Sequence, residues 1–234
     1  MRGHWFAAAV AIALVATGAV AQEKQKDPGK EKEEGFVPLF NGKDFAGWIL
    51  TAGPKEADKA WTVKDGIMDV TGKYPGSWLR SEKTYKDFIL RLEYKIARNM
   101  NSGIFLRALE KGNPAYSGME IQVHGDDPLR GPSVHGNGAL YGAIPPSCNP
   151  ANLDGWNQFE IELRGMHLIE RQNGVTVMDV RLDDPVWNDR LAPAKDQKPT
   201  DKTRKLTERA PEGFIGLQNH GSPVQFRTIR IKPL

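Results

Sequence analysis

Short runs of alternating apolar and polar residues, separated by glycine-containing turn dipeptides, fill the sequence from about residue 36 onward. In Phe88–Ile96 every second residue is apolar, and charged residues stand between several of them. A β-strand points successive side chains to opposite faces, so this pattern predicts a strand with one buried face. Asp65-Gly66 and Asn173-Gly174 each separate two such runs, and both dipeptides favour the tight turn of a β-hairpin. The chain is therefore predicted to be all-β.

The rest of the chain fits the same class. Residues 214–220 and 224–232 predict two more strands, and the apolar phase slips between Phe226 and Ile229, which indicates a β-bulge. Residues 183–212 are rich in Pro, Lys and Asp and predict a long surface loop with room for a short helix. Because no long helical period or repeat is present, we predict two antiparallel sheets packed face to face.

The N-terminal 21 residues have the organisation of an export signal. Arg2 gives a positive start, residues 5–20 form a short apolar stretch, and Ala19-Val20-Ala21 is a small-x-small cleavage site. We expect cleavage there, and a periplasmic or secreted mature protein with no integral membrane segment. Residues 22–35 are almost entirely charged, polar, Pro or Gly and predict a flexible linker. Residues 36–234 then form a single β-sandwich domain.

Charge and cysteine content narrow the range of partners. The formal net charge is +3, and it falls to +2 when Arg2, the one charged residue of the signal, is removed. So small a balance predicts neither a nucleic-acid partner nor binding to an anionic membrane surface. Cys148 is the only cysteine, so an exported form has to hold its core without an internal disulfide. The sequence leaves the oligomeric state open.

The segment Met119-Glu-Ile-Gln-Val-His124 combines two different faces on one predicted strand. Its first, third and fifth residues are apolar and predict a side that faces the core. Glu120, Gln122 and His124 alternate with them and would lie in a row on the other face, roughly 7 Å apart. Folding does not require that trio, whereas a carbohydrate or a polarised carbonyl can use all three. We therefore take this polar face as the start of a candidate site.

Several blocks of sequence, taken together, match the pattern of one known family. They are Pro38-Leu-Phe-Asn-Gly-Lys-Asp-Phe-Ala-Gly-Trp48, Asp87-Phe-Ile-Leu-Arg-Leu-Glu-Tyr94, Asn101-Ser-Gly-Ile-Phe-Leu-Arg107, Glu120-Ile-Gln122, Gly138-Ala-Leu-Tyr-Gly142, Trp156-Asn157, Gly216-Leu-Gln-Asn-His-Gly221 and Phe226-Arg-Thr-Ile-Arg-Ile-Lys-Pro-Leu234. They occur in order and cover essentially the whole predicted domain. With them the chain resembles the bacterial 3-keto-disaccharide hydrolase family, long known only as a domain of unknown function.

The resemblance implies a fold and an activity. The fold is a concanavalin A-like jelly roll, as in many lectins and glucanases, and the activity is cleavage of glycosides whose sugar is oxidised to a ketone at carbon 3. Two positions depart from the family's pattern. Relatives often have Asp where this chain has His124, and Asp-His where it has Asn219-His220. If either Asp is catalytic in relatives, the chemistry of this chain differs there.

Carboxylate spacing separates two mechanisms of glycoside cleavage. An ordinary retaining or inverting glycosidase needs two carboxyl groups around the scissile bond. Sandwich glucanases supply them from one strand, as Glu-x-Asp-x-x-Glu or Glu-x-Asp-x-Glu, whereas this strand has Glu120-x-Gln122-x-His124. A second carboxyl group would have to come from a loop, such as Asp126 or Asp127. The single carboxylate favours single-base chemistry beside a ketone.

A 3-keto sugar suits such a base because the ketone acidifies the proton on carbon 2. Removing that proton gives an enolate that expels the substituent on carbon 1, and addition of water to the enone completes a net hydrolysis. The reaction needs a base, a group that stabilises the enolate oxygen, and an acid for the leaving group. By role, the candidates are Glu120 or His124 for the base, Arg107 and Gln122 for the oxyanion, His220 or Tyr141 for the acid, and Asn219 and Trp78 for further substrate contacts.

Each of these residues also has a structural explanation. Glu120 and Gln122 can be the solvated face of a half-exposed strand. Arg107 ends an apolar strand and can be an ordinary ion-pair partner. His220 can cap a strand end, and Tyr141, which lies among glycines, can pack in the core.

Metal binding and two other functions stay open. His124, His135, Glu120 and His220 could cluster around a metal ion, and Gly125-Asp-Asp127 could hold Ca²⁺, but neither set has a diagnostic spacing. We therefore predict no required cofactor, with Ca²⁺ or another divalent ion as the alternative. The main alternative function is a non-catalytic, lectin-like carbohydrate-binding module of the same fold. A third is a structural or adhesion domain on the charged linker.

Overall fold

The computed structural model describes residues 35–153, 155–193 and 197–234. The predicted signal peptide and, apart from Gly35, the predicted linker lie outside these residues. Thirteen strands run through the described part of the chain. They are β1 Val37–Pro38, β2 Trp48–Thr51, β3 Trp61–Lys64, β4 Ile67–Val70, β5 Ser77–Tyr85, β6 Phe88–Ile96, β7 Asn101–Ala108, β8 Met119–His124, β9 Asn157–Arg164, β10 His167–Gln172, β11 Val175–Arg181, β12 Gly213–Asn219 and β13 Val224–Pro233.

The strands form two antiparallel sheets. In the larger sheet the order is β11-β10-β9-β6-β13-β4-β3, and β1 pairs with β13 as its eighth strand. In the smaller sheet the order is β2-β5-β12-β7-β8. Neighbours in each sheet are often distant in sequence, as in a jelly roll, rather than joined by consecutive hairpins. The prediction of a two-sheet antiparallel jelly-roll sandwich is confirmed.

The turns follow the predicted chemistry. Asp65 and Gly66, with φ of 52° and 77°, join β3 to β4, and Asn173 and Gly174, with φ of 49° and 80°, join β10 to β11. Positive φ at both central residues is the requirement of the hairpin turn that these dipeptides favour. The predicted bulge in the last strand is also present, because the pairing of β13 with β6 shifts between Arg227 and Arg230.

The core lies between the two sheets, where their inward-facing side chains meet. Phe88 to Ile96 on β6 alternate between buried core positions and less buried ones. From the smaller sheet, β8 contributes Met119, Ile121 and Val123 to the same core. Because the inner face of the smaller sheet is closed in this way, a binding site on that sheet has to use its outer face. A second, smaller apolar cluster, which includes Trp78 and Phe105, covers part of that outer face.

Helices are few in the described residues. α1 (Pro114–Ser117) begins after Asn113, whose side chain accepts a hydrogen bond from the Ala115 backbone N–H, and α2 spans Pro185–Leu191. Short 3₁₀ turns cover Ala57–Ala60, Pro128–Arg130, Asp201–Thr203 and Leu206–Glu208. None of the helices in this part of the chain combines the length and the apolar character needed to cross a membrane.

The segment 183–212 differs from its prediction in one respect. It contains the short helix α2, but it is not confined to the surface, because Leu191 and Leu206 are buried in the core. Widely spaced apolar residues can anchor an otherwise polar segment, and composition averaged over the segment hides them. The same segment brings Lys202 to the outer face of the smaller sheet.

Candidate active site

Strand β8 separates its side chains as the alternation predicts. Met119, Ile121 and Val123 enter the core, and Glu120 and Gln122 point to the outer face of the smaller sheet. This outer face is covered, because Glu120 is only 3% exposed and Gln122 2%. The two residues are therefore not the solvated side of a half-exposed strand. Burial of a carboxyl group without a compensating positive charge needs a reason beyond folding.

A glycine on the neighbouring strand makes room for the Glu120 carboxyl group. Gln122 pairs with Gly103 on β7, and a Cβ at Gly103 would lie 2.0 Å from Glu120 Oε1. The carboxyl group therefore rests directly against the glycine backbone. From β12, the strand that follows β7 in the sheet, the Gln218 side chain hydrogen-bonds to Glu120. Three adjacent strands thus fix the position of one carboxyl group.

The environment of Glu120 changes its acidity. Burial raises the pKa of the Glu120 carboxyl group to about 8, because the charged form loses its hydration, and the hydrogen bond from Gln218 opposes part of this rise. Near neutral pH the group is mostly protonated, and its conjugate base is far stronger than an ordinary carboxylate. A carboxyl group with a pKa close to neutral pH is suited to proton transfer in either direction.

A pocket of about 220 Å³ opens beside Glu120. It is lined by Asn101, Asn113, Ala115, Tyr116, Glu120, Gln122, Tyr141, Lys202, Gln218 and His220. Four residues of the predicted site meet here, namely Glu120, Gln122, Tyr141 and His220. Glu120 is the one carboxyl group among these lining residues, and Lys202 is the one lysine or arginine. We call this cavity the Glu120 pocket.

Six of the ten residues that line the pocket were not predicted from the sequence. The missed polar residues are Asn101, Asn113, Tyr116, Lys202 and Gln218. Strand periodicity could have found two of them, because Asn101 stands two residues before Gly103 and Gln218 two residues after Gly216, on the same strand faces. Nothing in the sequence around Lys202 distinguishes it from the other lysines of its polar segment.

The glycine-rich segment 138–142 places Tyr141 in the pocket. The Tyr141 backbone N–H donates to the Glu120 carbonyl oxygen at 2.9 Å, so the segment runs along the free edge of β8. Gly138 and Gly142 have φ of 77° and 70°, which lets the chain turn sharply on both sides of Tyr141. The Tyr141 ring lies edge-on to His135, with centroids 5.1 Å apart. Tyr141 is therefore part of the pocket wall rather than of the main core.

Asn219 is the last residue of strand β12 and His220 follows it, and the two have different surroundings. The Asn219 side chain is buried and donates to the carbonyl oxygens of Lys73 and Tyr74, at 2.8 and 3.1 Å. It also accepts a hydrogen bond from the Gly221 backbone N–H. These contacts commit the side chain to holding the neighbouring loop, although Asn219 borders a larger groove described below. His220 is exposed and borders both the pocket and the groove.

Arg107 lies elsewhere, and this placement corrects the predicted oxyanion role. Its guanidinium group is buried and donates to the carbonyl oxygens of Lys86 and Gly165 and to the Asp87 carboxylate, at 2.7, 2.8 and 3.1 Å. Arg107 has a φ of 51°, and its strand's pairing with β12 is irregular near this position, so the side chain leaves the regular alternation. Because its guanidinium group is buried and bonded at that end of the strand, and Arg107 does not line the Glu120 pocket, it is not available to a ligand there.

His124 also lies outside the Glu120 pocket. It borders a separate cavity of about 390 Å³, together with Asp126, Arg130 and His135. Its Nδ1 atom is 3.4 Å from Asp126 Oδ1. One strand therefore serves two cavities, and the trio predicted on β8 is divided between them. The Gln122 side chain connects their walls by donating to the His135 carbonyl oxygen at 3.2 Å.

The predicted metal-binding groups do not assemble. Among the described residues, no three His, Cys, Asp or Glu side chains gather in a way that could hold a metal ion. The Asp127 side chain accepts a hydrogen bond from the Leu129 backbone N–H, and Asp126 accepts one from Asn137. Both aspartates thus organise their own loop.

The fold and the pocket together define a class of protein, and known proteins of this class are similar to the chain. A jelly roll with a polar pocket on the outer face of one sheet belongs to the lectin-like class of sandwiches. Residues 35–232 match the sequence profile of the 3-keto-alpha-glucoside-1,2-lyase-like domain family. Because the match covers most of the chain, the protein belongs to this family. The resemblance stated from the sequence is confirmed.

Individual relatives agree with this assignment. A 3-keto-disaccharide hydrolase from Bacteroides thetaiotaomicron is 29% identical over 230 residues, which cover 86% of this chain and 79% of the relative. A crystal structure from Parabacteroides distasonis, provisionally described as a glycosyl hydrolase, has a TM-score of 0.71 at 25% identity and covers 86% of this chain and 94% of its own. A second structure from that organism has a TM-score of 0.65 at 23% identity, covers 85% of this chain and 99% of its own, and shows the shared fold.

Proposed function

We propose that this protein cleaves glycosides whose sugar carries a ketone at carbon 3, with 3-keto-disaccharides as the leading substrate class. Membership of the family and the name of the Bacteroides relative support this substrate class. The observation that carries the mechanism is Glu120, the single carboxyl group among the described residues that line its pocket, with a pKa of about 8. A pocket with one carboxyl group lacks the pair that an ordinary glycosidase needs. It has the single base that proton abstraction beside a ketone needs.

The reaction balances with one base and one acid. Glu120 takes the proton from carbon 2, and the electrons of that bond move onto the ketone oxygen to form an enolate. The enolate then re-forms the ketone and expels the oxygen substituent from carbon 1, which leaves a double bond between carbons 1 and 2. The acid protonates the departing oxygen. Addition of water to carbon 1, with return of a proton to carbon 2, converts this elimination into hydrolysis.

The pocket residues divide among these roles. Gln122 and Lys202 replace Arg107 as the candidates for stabilising the enolate oxygen, since both line the pocket and can donate hydrogen bonds. His220 and Tyr141 are the candidates for the acid. Glu120 is preferred over His124 as the base because His124 lies in the neighbouring cavity. The assigned roles need no metal ion.

Export forms part of the same proposal. The N-terminal signal would place the mature enzyme in the periplasm or outside the cell, where it would meet oxidised glycosides. Its chemistry needs no disulfide, and Cys148 is an exposed free thiol.

The proposal is tested by comparing a 3-keto-glucoside with its unoxidised parent. We expect the purified protein to release the aglycone from the oxidised compound and not from the parent, because only the ketone acidifies carbon 2. Cleavage of both would indicate an ordinary glycosidase. Binding of either compound with no cleavage would favour the lectin-like alternative. The appearance of an enone absorbance before the free sugar would separate elimination from direct hydrolysis.

A further inference from the structure

A second and larger cavity adjoins the Glu120 pocket on the outer face of the smaller sheet. Its volume is about 630 Å³, and it shares Asn113, Gln218 and His220 with the pocket. We call it the Trp78 groove, after the largest side chain in its lining. Ligand sites of drug-sized molecules span about 300–1,000 Å³, so the groove falls in this range, whereas the Glu120 pocket alone is smaller.

The lining of the groove is suited to an uncharged, partly apolar ring. Trp78 and Phe105 meet edge to face, with centroids 5.4 Å apart, and form a tightly packed apolar base in which the two residues are 3% and 2% exposed. A Cβ at Gly216 would lie 2.5 Å from Trp78 Cε3, so only a glycine leaves space for this indole ring. Polar groups from Asn113, Gln218 and His220 stand at the end shared with the pocket. An apolar base with a few polar groups at one end is typical of sites that bind a ring in one orientation.

We propose that the Trp78 groove binds the leaving group of the substrate, and that this leaving group is a neutral sugar ring or aryl aglycone. This inference rests on the proposed function. The reacting sugar must lie in the smaller cavity because Glu120 is there, so the scissile bond lies at the shared boundary. The His124 cavity is the other neighbour, but it has no lining residue in common with the Glu120 pocket. The groove therefore offers the continuous path for the rest of the substrate.

His220 lies at the boundary that this orientation defines. It is exposed and borders both cavities, whereas Tyr141 borders the Glu120 pocket and is not in the lining of the groove. The departing oxygen on carbon 1 must cross from one cavity to the other. The orientation therefore selects His220 over Tyr141 as the acid that protonates the leaving group.

Charge sets a second limit on the leaving group. Among the described lining residues Glu110 carries a full negative charge, and no lysine or arginine lines the groove. Arg80 Nη2 lies 3.7 Å from Glu110 Oε2 and offsets part of that charge from outside the lining. The electrostatic potential in the groove is thus neutral to negative. A leaving group with a carboxylate would be disfavoured by about fivefold, the effect of one charge pair near contact in water.

The size limit is tested with three 3-keto-glucosides, which carry a methyl, a 4-nitrophenyl or a glucosyl leaving group. Pro75 is exposed and lines the groove but not the Glu120 pocket, and its backbone is outside the left-handed region, so Pro75→Trp narrows the groove alone. We expect kcat/KM of this variant to fall at least tenfold for the glucosyl substrate and to stay within twofold of wild type for the methyl substrate. Equal losses on both would overturn the assignment. If the wild-type protein cleaves none of the three, the proposed function itself fails, and the leaving-group site falls with it.

The charge limit is tested with 4-nitrophenyl and 4-carboxyphenyl 3-keto-glucosides. We expect Glu110→Gln to raise the kcat/KM of the carboxyphenyl substrate relative to the nitrophenyl substrate by about fivefold. The ratio between variant and wild type cancels the different reactivities of the two phenols. Asp189→Asn, an exposed change on α2 outside the described cavities, serves as the matched control and should leave the ratio unchanged. An unchanged ratio in Glu110→Gln would contradict the placement of the aglycone beside Glu110.

Discussion

Two buried glutamates on strands of opposite sheets, Glu120 and Glu170, show what turns a buried carboxyl group into a candidate base. Glu170 on β10 is fully buried, and neither of its carboxyl oxygens has a hydrogen-bond partner among the described residues. Burial raises the pKa of the Glu170 carboxyl group well above its usual value, as it does for Glu120. Acidity alone therefore does not distinguish the two residues.

The surroundings distinguish them. Glu120 borders a pocket with amide, hydroxyl, imidazole and ammonium groups around it. Glu170 lies beside Gly138 and near the buried group formed by Gln172, Tyr94 and Asn137. Gln172 donates to Tyr94 Oη at 2.6 Å, and Asn137 donates to the same oxygen at 3.0 Å. A carboxyl group in that position supports the loop that carries Tyr141 but does not line the Glu120 pocket.

The strongest test of this contrast is the pair of isosteric variants Glu120→Gln and Glu170→Gln. We expect Glu120→Gln to lower kcat/KM for a 3-keto-glucoside by about 10²–10⁴-fold, the usual contribution of a general base. Glu170→Gln should stay within about threefold of wild type, because it keeps shape and neutrality. Aglycone release under identical conditions measures both. Full activity of Glu120→Gln, or a loss in Glu170→Gln as large as that in Glu120→Gln, would remove the distinction.

Glu120 and Glu170 should have similar effects on the pH dependence of stability, although their effects on activity differ. The pKa of Glu120 rises on folding from about 4.5 to about 8, so the folded state holds a proton that the unfolded chain has released across this window. The resulting stabilisation is fully present below pH 4.5 and is lost at about 1.4 kcal/mol per unit as the pH rises to 8. Glu120→Gln removes this dependence, and Glu170→Gln does so for its own window, in the same direction.

Urea unfolding of wild type and both variants at pH 5, 6.5 and 8 provides the measurement. We expect each variant to gain free energy of unfolding relative to wild type as the pH rises, by a total of a few kcal/mol for Glu120→Gln. A flat difference across this range would mean that the carboxyl group is ionised in the folded protein. In that case burial would not account for its chemistry.

The pH dependence of the rate separates Glu120 as a base from Glu120 as an acid. A base must be ionised in the free enzyme. With a 4-nitrophenyl leaving group, which departs without a proton donor, kcat/KM should therefore rise about a hundredfold from pH 6 to pH 9 and level off above a pKa of about 8. Glu170→Gln should show the same profile, since its carboxyl group does not contact substrate. A rate that falls above pH 8 would instead make Glu120 the proton donor.

The sequence predicts the fold further than the site, for a physical reason. Period-two alternation and turn dipeptides are local signals, and they locate β6, the β3–β4 hairpin and the bulge in β13 closely. The same alternation assigns Glu120 and Gln122 to one face. The order of strands in the smaller sheet is set by non-local pairing, and this order brings Gln218 beside Glu120.

Arg107 and Lys202 show the limits of such reasoning for single residues. The strand pattern suggests that the Arg107 side chain lies near the polar face of the smaller sheet. Its left-handed backbone conformation instead directs the side chain toward Asp87. Lys202 reaches the pocket from a 3₁₀ turn in a polar segment that has no periodicity to interpret. In both cases the deciding contact is made by residues distant in sequence.

Gly103→Ala gives the smallest expected effect and tests whether the position of the Glu120 carboxyl group matters as well as its pKa. The backbone of Gly103 is outside the left-handed region, so alanine fits the strand, but its Cβ would lie 2.0 Å from Glu120 Oε1. The carboxyl group must move, and a displacement of about 1 Å can cost up to about a hundredfold in rate. We expect a loss of about tenfold or more in kcat, with cooperative thermal unfolding retained.

Ile104→Val is the matched control, because this neighbour faces the core and its truncation costs about 1 kcal/mol of stability without moving Glu120. Equal activity of Gly103→Ala and wild type would show that the reaction does not depend on the position of the Glu120 carboxyl group against Gly103.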